Sequence, residues 1–501
     1  MNTLSPYADL MYRSRQVALL GSCSSVLGWD QQTYMPKGGA AFRGEQLALL
    51  ATLAHKQATD ARVGELLGQV EAEPRPADSV EASNVRELRH AYDRAVKIPP
   101  RLVEELARVT AQANEAWIEA RAKSDFSRFA PFLEQIVALK REEAAFVGWQ
   151  EHPYDALLDE YEPGAKSSQI RSLFAELSAG LVPIIRQIRG ATKTPDATIL
   201  QRDFPTDRQH LFAESAAAAI GFDFHTGRLD TTTHPFCSGF GPGDCRITTR
   251  YNPKAFNEAF FGVLHEAGHG LYEQNLPANR YGEPTAQACS LGIHESQSRL
   301  WENLVGRSRP FWDHFFPRLQ QTFPSVRDVS ADAFHFTINE VRPSFIRVEA
   351  DEATYNLHII LRFEIELALM SGDLLVADLP AAWNEKFRAM FDLTPPSDRE
   401  GCLQDIHWSF GGIGYFPTYT LGNLFAAQFM HAARNQLPDV DAAMRQGDFR
   451  GLREWLIANI HHHGRHYRAG ALCERVTGTP LRVQPFLDQL KAKFFPLYEV
   501  S

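Results

Sequence analysis

Apolar residues three and four positions apart recur through long windows of this chain, a spacing that leaves helices packed on helices as the main way to bury them. The windows fall at 41–55, 85–96, 102–121, 132–147, 170–188, 353–370 and 452–463, and they are rich in Ala, Leu, Glu and Arg. Breaks separate them: EAEPRPADS at 71–79, IPP at 98–100 and RGATKTPDAT at 189–198, where proline, glycine and short polar residues interrupt a helix. The last break divides an N-terminal helical half, about 1–195, from a second half, about 196–501, and neither half looks like an independent module. A length of 501 residues would by itself suggest two or three domains.

One region departs from the helical period. LDTTTHPFCSGFGPGDCRITTRY (229–251) combines threonine clusters, a GFGPGD turn and the β-branched run Ile247-Thr248-Thr249, which predicts a short hairpin or edge strand. A helix follows at about 253–275: Asn252 suits the N-cap, Pro253 the first helical position, and Asn275-Leu276-Pro277 is a stop. Phe256, Phe260, Val263, Leu264 and Leu271 give this helix a broad apolar surface and predict that it is buried. Gly262, Gly268 and Gly270 each cost it about 1 kcal/mol relative to alanine. Such glycines mark the close approach of another backbone, a substrate or a metal.

Inside that helix lies HEAGH (265–269). Positions four apart share a helical face, so His265 and His269 project together, one turn apart, with Glu266 a step round. Two neutral imidazoles bind a borderline-soft divalent ion, and the carboxylate takes a proton from the activated water and hands it to the leaving amine. A five-residue pattern also arises by chance, as two histidines satisfied in a helical core. A catalytic metal needs a third protein ligand, and GIHESQSRLWEN (292–303) supplies Glu295 at the start of a second helical segment. His294 is the rival for that position. The cluster HHHGRH (461–466) repeats the four-residue histidine spacing, but it lacks the carboxylate and contains Gly464; it reads as a polar face or a packing feature.

Composition removes other classes. A net charge of −10 disfavours a general nucleic-acid binder, which needs a basic field to displace counterions. Six scattered cysteines without a CxxC pair form neither a disulfide framework nor a cysteine zinc site, so a reducing, cytoplasmic compartment is expected. Arg13 and Arg15 precede VALLGSC, which loosely imitates a lipoprotein box, but the apolar run is too short for a signal sequence. No stretch approaches the roughly 18 uncharged apolar residues of a membrane span.

With HEAGH followed by HESQSR, the sequence resembles the carboxypeptidase Taq family of metallocarboxypeptidases, an HExxH clan with a glutamate third ligand. HPF at 234–236, DCRIT at 244–248, IRVEAD at 346–351 and DIHWSFGGIGYFPTYTLGN at 405–423 occur in the family's order, with further similarity in LGWDQQTYMP (27–36) and YDALLDEYEPG (154–164). The resemblance implies one mainly α peptidase domain, large and helical, with a small β-sheet beside a deep active-site cleft. It also implies a homodimer that removes single C-terminal residues from peptides with broad specificity. His265, His269 and Glu295 are the implied metal ligands and Glu266 the acid/base, with Zn2+ as the default ion and Co2+ also able to serve.

A carboxypeptidase must select a free terminal carboxylate, for which an arginine fork is the natural partner. Arg347 in IRVEAD resembles the family arginine proposed for that role, and Arg246 in DCRIT is a second candidate. Donors near the developing oxyanion could come from His407, Tyr415 and Tyr419, with Tyr415 favoured. His234 is a candidate substrate contact, and the strand ending near Thr248 could pair with an extended peptide. Two other readings compete: a dipeptidyl carboxypeptidase or oligo-endopeptidase with the same metal site, and a helical binding protein with a relic site.

Overall fold

The computed structural model describes residues 4–501. The protein is mainly helical, with one small three-stranded sheet. The periodic windows lie in helices Ala40–Ala58, Val80–Lys97, Pro100–Lys123, Ala130–Val147, Ser167–Arg189 and Tyr355–Ser371, and the three breaks fall between helices. The window at 452–463 splits instead into helix Arg450–Asn459 and a short 3-10 turn, His461–His463. Gly464 then takes φ +49°, so His462 and His466 share no helical face. His461 is buried, bonded to Gln297 and packed on Tyr272, which makes the cluster a packing feature.

Two compact units emerge, each assembled from three stretches of chain. One gathers Met1–Val96 (described from Leu4), Pro195–Ile338 and Phe425–Leu481; the other gathers Lys97–Thr194, Asn339–Leu424 and Arg482–Ser501. The break near residue 195 is one crossing between them, at Thr194–Pro195, but the units interleave rather than follow one another.

The sheet belongs to the first unit. Strands β1 (Gly227–Thr231), β2 (Cys237–Gly241) and β3 (Asp244–Thr249) lie in the order β1-β3-β2, with β3 parallel to β1 and antiparallel to β2. The hairpin expected from GFGPGD is the β2–β3 pair. The DCRIT strand is not an edge: β3 is central, and its ladder groups are taken by strands on both sides. Strand addition by a peptide at β3 is therefore excluded. The reason lies in Gly227–Thr231, whose polar, glycine-initiated sequence carries little strand signal and pairs only because β3 offers it a template.

The HEAGH helix spans Phe256–Gln274, three residues later than its capping signals suggest. Asn252 caps a turn, accepting from the Lys254 N–H at 3.0 Å, while the Pro253 carbonyl is taken by the Phe204 N–H at 2.9 Å. Ala255 is extended at φ −150°, ψ 77°, and the helix starts only after it. Its first turns are anchored in aromatic side chains: Phe256 stacks on Phe260 at 5.1 Å, and Phe212, Phe311 and Trp312 surround Phe260 at 5.4, 6.1 and 5.3 Å. Val263, Leu264 and Leu271 are fully buried as well. This cluster holds the axis of the helix, and with it the direction in which the histidines project.

In the second unit, helix Tyr355–Ser371 is apolar nearly all round and forms the core. Its two buried charges, Arg362 and Glu366, both engage the neighbouring segment 405–414. Glu366 accepts from Trp408 Nε1 at 2.8 Å, Tyr154 Oη at 2.8 Å and Gly414 N at 3.1 Å, and Arg362 pairs with Asp405. Gly414 sits at φ +97°, with a would-be Cβ 2.9 Å from the Leu157 carbonyl carbon, so the FGGIGYF turn accepts only glycine there.

Candidate metal centre

His265 Nε2 and His269 Nε2 lie 3.6 and 3.4 Å from Glu295 Oε2, and the three ligand atoms fall within 4.8 Å of one another. Glu295 comes from helix Leu291–Arg299, started by the Ser290 hydroxyl accepting from Ile293 N. Gly268 explains how the two helices come so close. A Cβ there would lie 2.6 Å from the Gln297 carbonyl oxygen and 2.7 Å from Ser298 Cα. The glycine between the two histidines thus admits the backbone that carries Glu295. Gly270 makes room in the same way for Phe222, whose ring comes within 2.5 Å of a would-be Cβ.

Each histidine is oriented from behind. His265 Nδ1 meets Glu302 Oε2 at 2.8 Å, so Nδ1 carries the proton and the Nε2 lone pair faces Glu295. His269 Nδ1 meets His294 Nδ1 at 2.5 Å, and His294 Nε2 meets Glu273 Oε1 at 2.8 Å. Protons on His269 Nδ1 and His294 Nε2 satisfy the whole chain and again leave Nε2 of His269 as the inward lone pair. His294 therefore stands behind His269, on the side away from Nε2, where it can orient that ring.

The electrostatics fit a cation. Burial would lower His265, yet Glu295, Glu302 and Glu266 outweigh it and raise its affinity for a proton. Burial and the neighbouring histidines hold His269 down to about 3, hence neutral. Burial opposes ionisation of Glu295, but Arg299, His265 and His269 win and keep it well below the usual carboxylate range. Glu266 is 7% exposed, and burial pushes it up to about 7, with Glu295 and Glu302 adding to the shift against His265 and His294. A donor set of two imidazoles and one ionised carboxylate, with a less acidic carboxyl beside it, suits a divalent ion and a nearby proton acceptor.

Glu302, Arg299 and Glu273 complete the arrangement, and motif reasoning passed over them. Glu302 lies on a π-helical turn, Leu300–Gly306, that continues the Glu295 helix, and Arg299 bridges Glu295 Oε1 at 2.6 Å and Glu302 at 3.5 Å. The signals were spacings: Glu273 follows His269 by four residues and Glu302 follows Glu295 by seven. Glu302→Ala leaves His265 free to rotate and is expected to weaken metal binding by about 10–100-fold. Competition titration against a chromogenic chelator reads this directly, and unchanged affinity would show that Glu302 does not orient the ligand.

The other candidate residues fall into two groups. On the sheet, Arg246 forks onto both oxygens of Asp244 at 2.9 and 2.8 Å and lies over Trp29 and Phe240, while His234 is exposed between β1 and β2. In the second unit, Arg347 is 7% exposed, with Nε and Nη2 on Asp405 Oδ1 at 2.9 and 2.8 Å and Nη1 on Tyr355 Oη at 2.9 Å. It packs over Tyr419 at 5.1 Å. His407, held down to about 3 by burial, contacts Tyr419 Oη at 3.2 Å, and Tyr415 packs against His407, Tyr419 and Tyr161. Arg347, His407, Tyr415 and Tyr419 therefore form one cluster, tied to Arg362 through Asp405.

Comparison with known proteins points to one metallopeptidase family. A family model for the carboxypeptidase Taq (M32) metallopeptidases matches residues 9–494. Thermostable carboxypeptidase 1 of Thermus thermophilus is 47% identical over 99% of this chain and 100% of its own length. Carboxypeptidase 1 of Bacillus subtilis is 38% identical over 98% of each chain. A solved M32 carboxypeptidase from Deinococcus radiodurans superposes with a TM-score of 0.96 at 40% identity, covering 99% of this chain and 100% of that one.

Proposed function

Since the chain belongs to the carboxypeptidase Taq (M32) metallopeptidase family and is a metallocarboxypeptidase, we propose that it removes single C-terminal residues from peptides with broad specificity. The observation that carries this reading is the convergence of His265, His269 and Glu295 beside the buried carboxyl of Glu266. His265, His269 and Glu295 would hold a divalent ion, zinc by its match to two imidazoles and a carboxylate, which would supply Lewis acidity toward water and the scissile carbonyl. Glu266 takes the proton that water loses and returns it to the leaving nitrogen. Glu302 and the His294–Glu273 pair keep both imidazoles in the tautomer whose Nε2 binds.

Arg347 is the proposed partner of the terminal carboxylate, with Asp405 and Tyr355 fixing its orientation through three of its N–H groups. Tyr415 is the proposed oxyanion donor, supported by His407 and Tyr419, and Arg246 and His234 are proposed substrate contacts from the sheet. A defined peptide with free and amidated C-termini, followed by mass, tests the reading. Loss of residues one at a time is expected, with the amide turned over about 10–100-fold more slowly, the worth of charge-assisted hydrogen bonds to a carboxylate. Internal cuts would favour the endopeptidase alternative, and equal rates would remove the role of Arg347.

No helix among the described residues is long and apolar enough to cross a membrane, and none of the six cysteines is in a disulfide. Both fit the proposed cytoplasmic setting. A homodimer is proposed through helices α1 (Pro6–Thr33) and α2 (Ala40–Ala58). No residue of α2 is buried, although it carries Phe42, Leu49 and Leu53 along one face, and Tyr12 and Leu19 of α1 are exposed too. An apolar stripe of this length on a helix hairpin calls for a partner. Leu49→Glu is expected to weaken dimerisation by about 10–100-fold, the worth of burying one leucine. Light scattering across a dilution series reads the shift, and an unaltered dimer would place the interface elsewhere.

A further inference from the structure

Cys237 on β2 and Cys245 on β3 bring their sulfurs to 3.7 Å, within contact distance, although no cysteine pattern in the sequence relates them. Cys245 is buried at 3% exposure and Cys237 is half-buried at the start of its strand, which leaves a path for a small oxidant. The pair also touches the metal-bearing helix. Cys245 Sγ points to the Gly270 carbonyl oxygen at 3.9 Å, one residue past His269. Two residues after Cys237, the backbone of Gly239 presses on Glu273, with a would-be Cβ 2.4 Å from its Oε2. Glu273 is the far end of the chain that orients His269 through His294.

We propose that Cys237 and Cys245 are a modification site, a dithiol that hydrogen peroxide converts to a disulfide, and that the disulfide weakens metal binding by shifting β2 against Glu273. The coupling rests on the metal reading of His265, His269 and Glu295; the dithiol does not. In the first step one sulfur attacks the peroxide, the O–O bond breaks, and a sulfenic acid and one water result. The second thiol then attacks that sulfur, an S–S bond forms, and the hydroxyl leaves with the second thiol's proton as another water. Two thiols lose two electrons and two protons, and one peroxide becomes two waters. The sulfurs need to close from contact distance to about 2.05 Å, a motion that the short, irregularly paired β2 strand can supply. The shared proton and burial hold the Cys237 thiol up, which keeps the pair reduced at rest and makes it slower to oxidise than the exposed Cys23.

The test uses the full chain loaded with zinc, in a Cys23→Ser background that removes intermolecular coupling. After peroxide and desalting, non-reducing peptide mapping is expected to find residues 237 and 245 joined, with a loss of two hydrogens. Zinc affinity is expected to fall about 10–100-fold, as when a ligand loses its orienting partner, and to recover with dithiothreitol. Cys237→Ser, and independently Cys245→Ala in case one variant fails to fold, should abolish both responses. If the two peptides stay separate under peroxide that fully oxidises Cys23 in the unmodified chain, the dithiol site is refuted. If the disulfide forms while zinc affinity is unchanged, the coupling is refuted. A chain that binds no zinc at all would overturn the metal reading, while the peptide map would still decide the dithiol.

Discussion

Glu266→Gln is expected to cut peptide turnover by about 10²–10⁴-fold, the usual worth of a general acid/base. Glutamine has nearly the same shape, so the buried position stays filled, but its amide cannot accept the proton that water gives up. Glu266 is outside the group of converging ligand atoms, so zinc content should remain stoichiometric, and that separates a lost base from a lost metal. The carboxylate acts on protons that move only during reaction, so kcat and kcat/KM should fall together while KM changes little. Steady-state kinetics with parallel metal analysis make the measurement. Turnover within tenfold of the unaltered enzyme, with metal bound, would end the assignment of Glu266.

Phe260→Ala is expected to lower stability by about 3–5 kcal/mol, the cost of removing a buried ring and leaving a cavity. Phe260 is 2% exposed and sits among Phe256, Phe212, Phe261, Phe311 and Trp312, a set too interlocked to collapse around an alanine. The matching control is Val348→Ala, since Val348 is 73% exposed and surface truncations usually stay within about 0.5 kcal/mol. Urea titration of both variants gives the comparison. A Phe260 variant as stable as the Val348 variant would mean that the aromatic cluster does not anchor the HEAGH helix.

The elements whose chemistry is local were legible in advance. His265, His269 and Glu266 could be placed because helical periodicity alone puts positions four apart on one face. Glu295 could be placed because a ligand was required and HESQSR followed on a second helical segment. The orienting residues were harder, since Glu302 and Glu273 look like ordinary helix carboxylates until the two helices cross. The helix start also moved, from residue 253 to Phe256, because the Pro253 carbonyl bonds to Phe204, far earlier in the chain and beyond the reach of any local capping rule.

The sequence by itself determined the mainly helical class and the shared face of His265 and His269 with Glu266 a step round it, because short-range backbone geometry dictates which side chains share a face. Only the tertiary structure decided that β3 is central, that Gly268 lets the Glu295 helix approach, and that Arg347 already holds Asp405. These are contacts between residues that no periodicity relates. They form because packing brings the segments together, and the free energy of that packing is shared across the whole core rather than written in any one stretch.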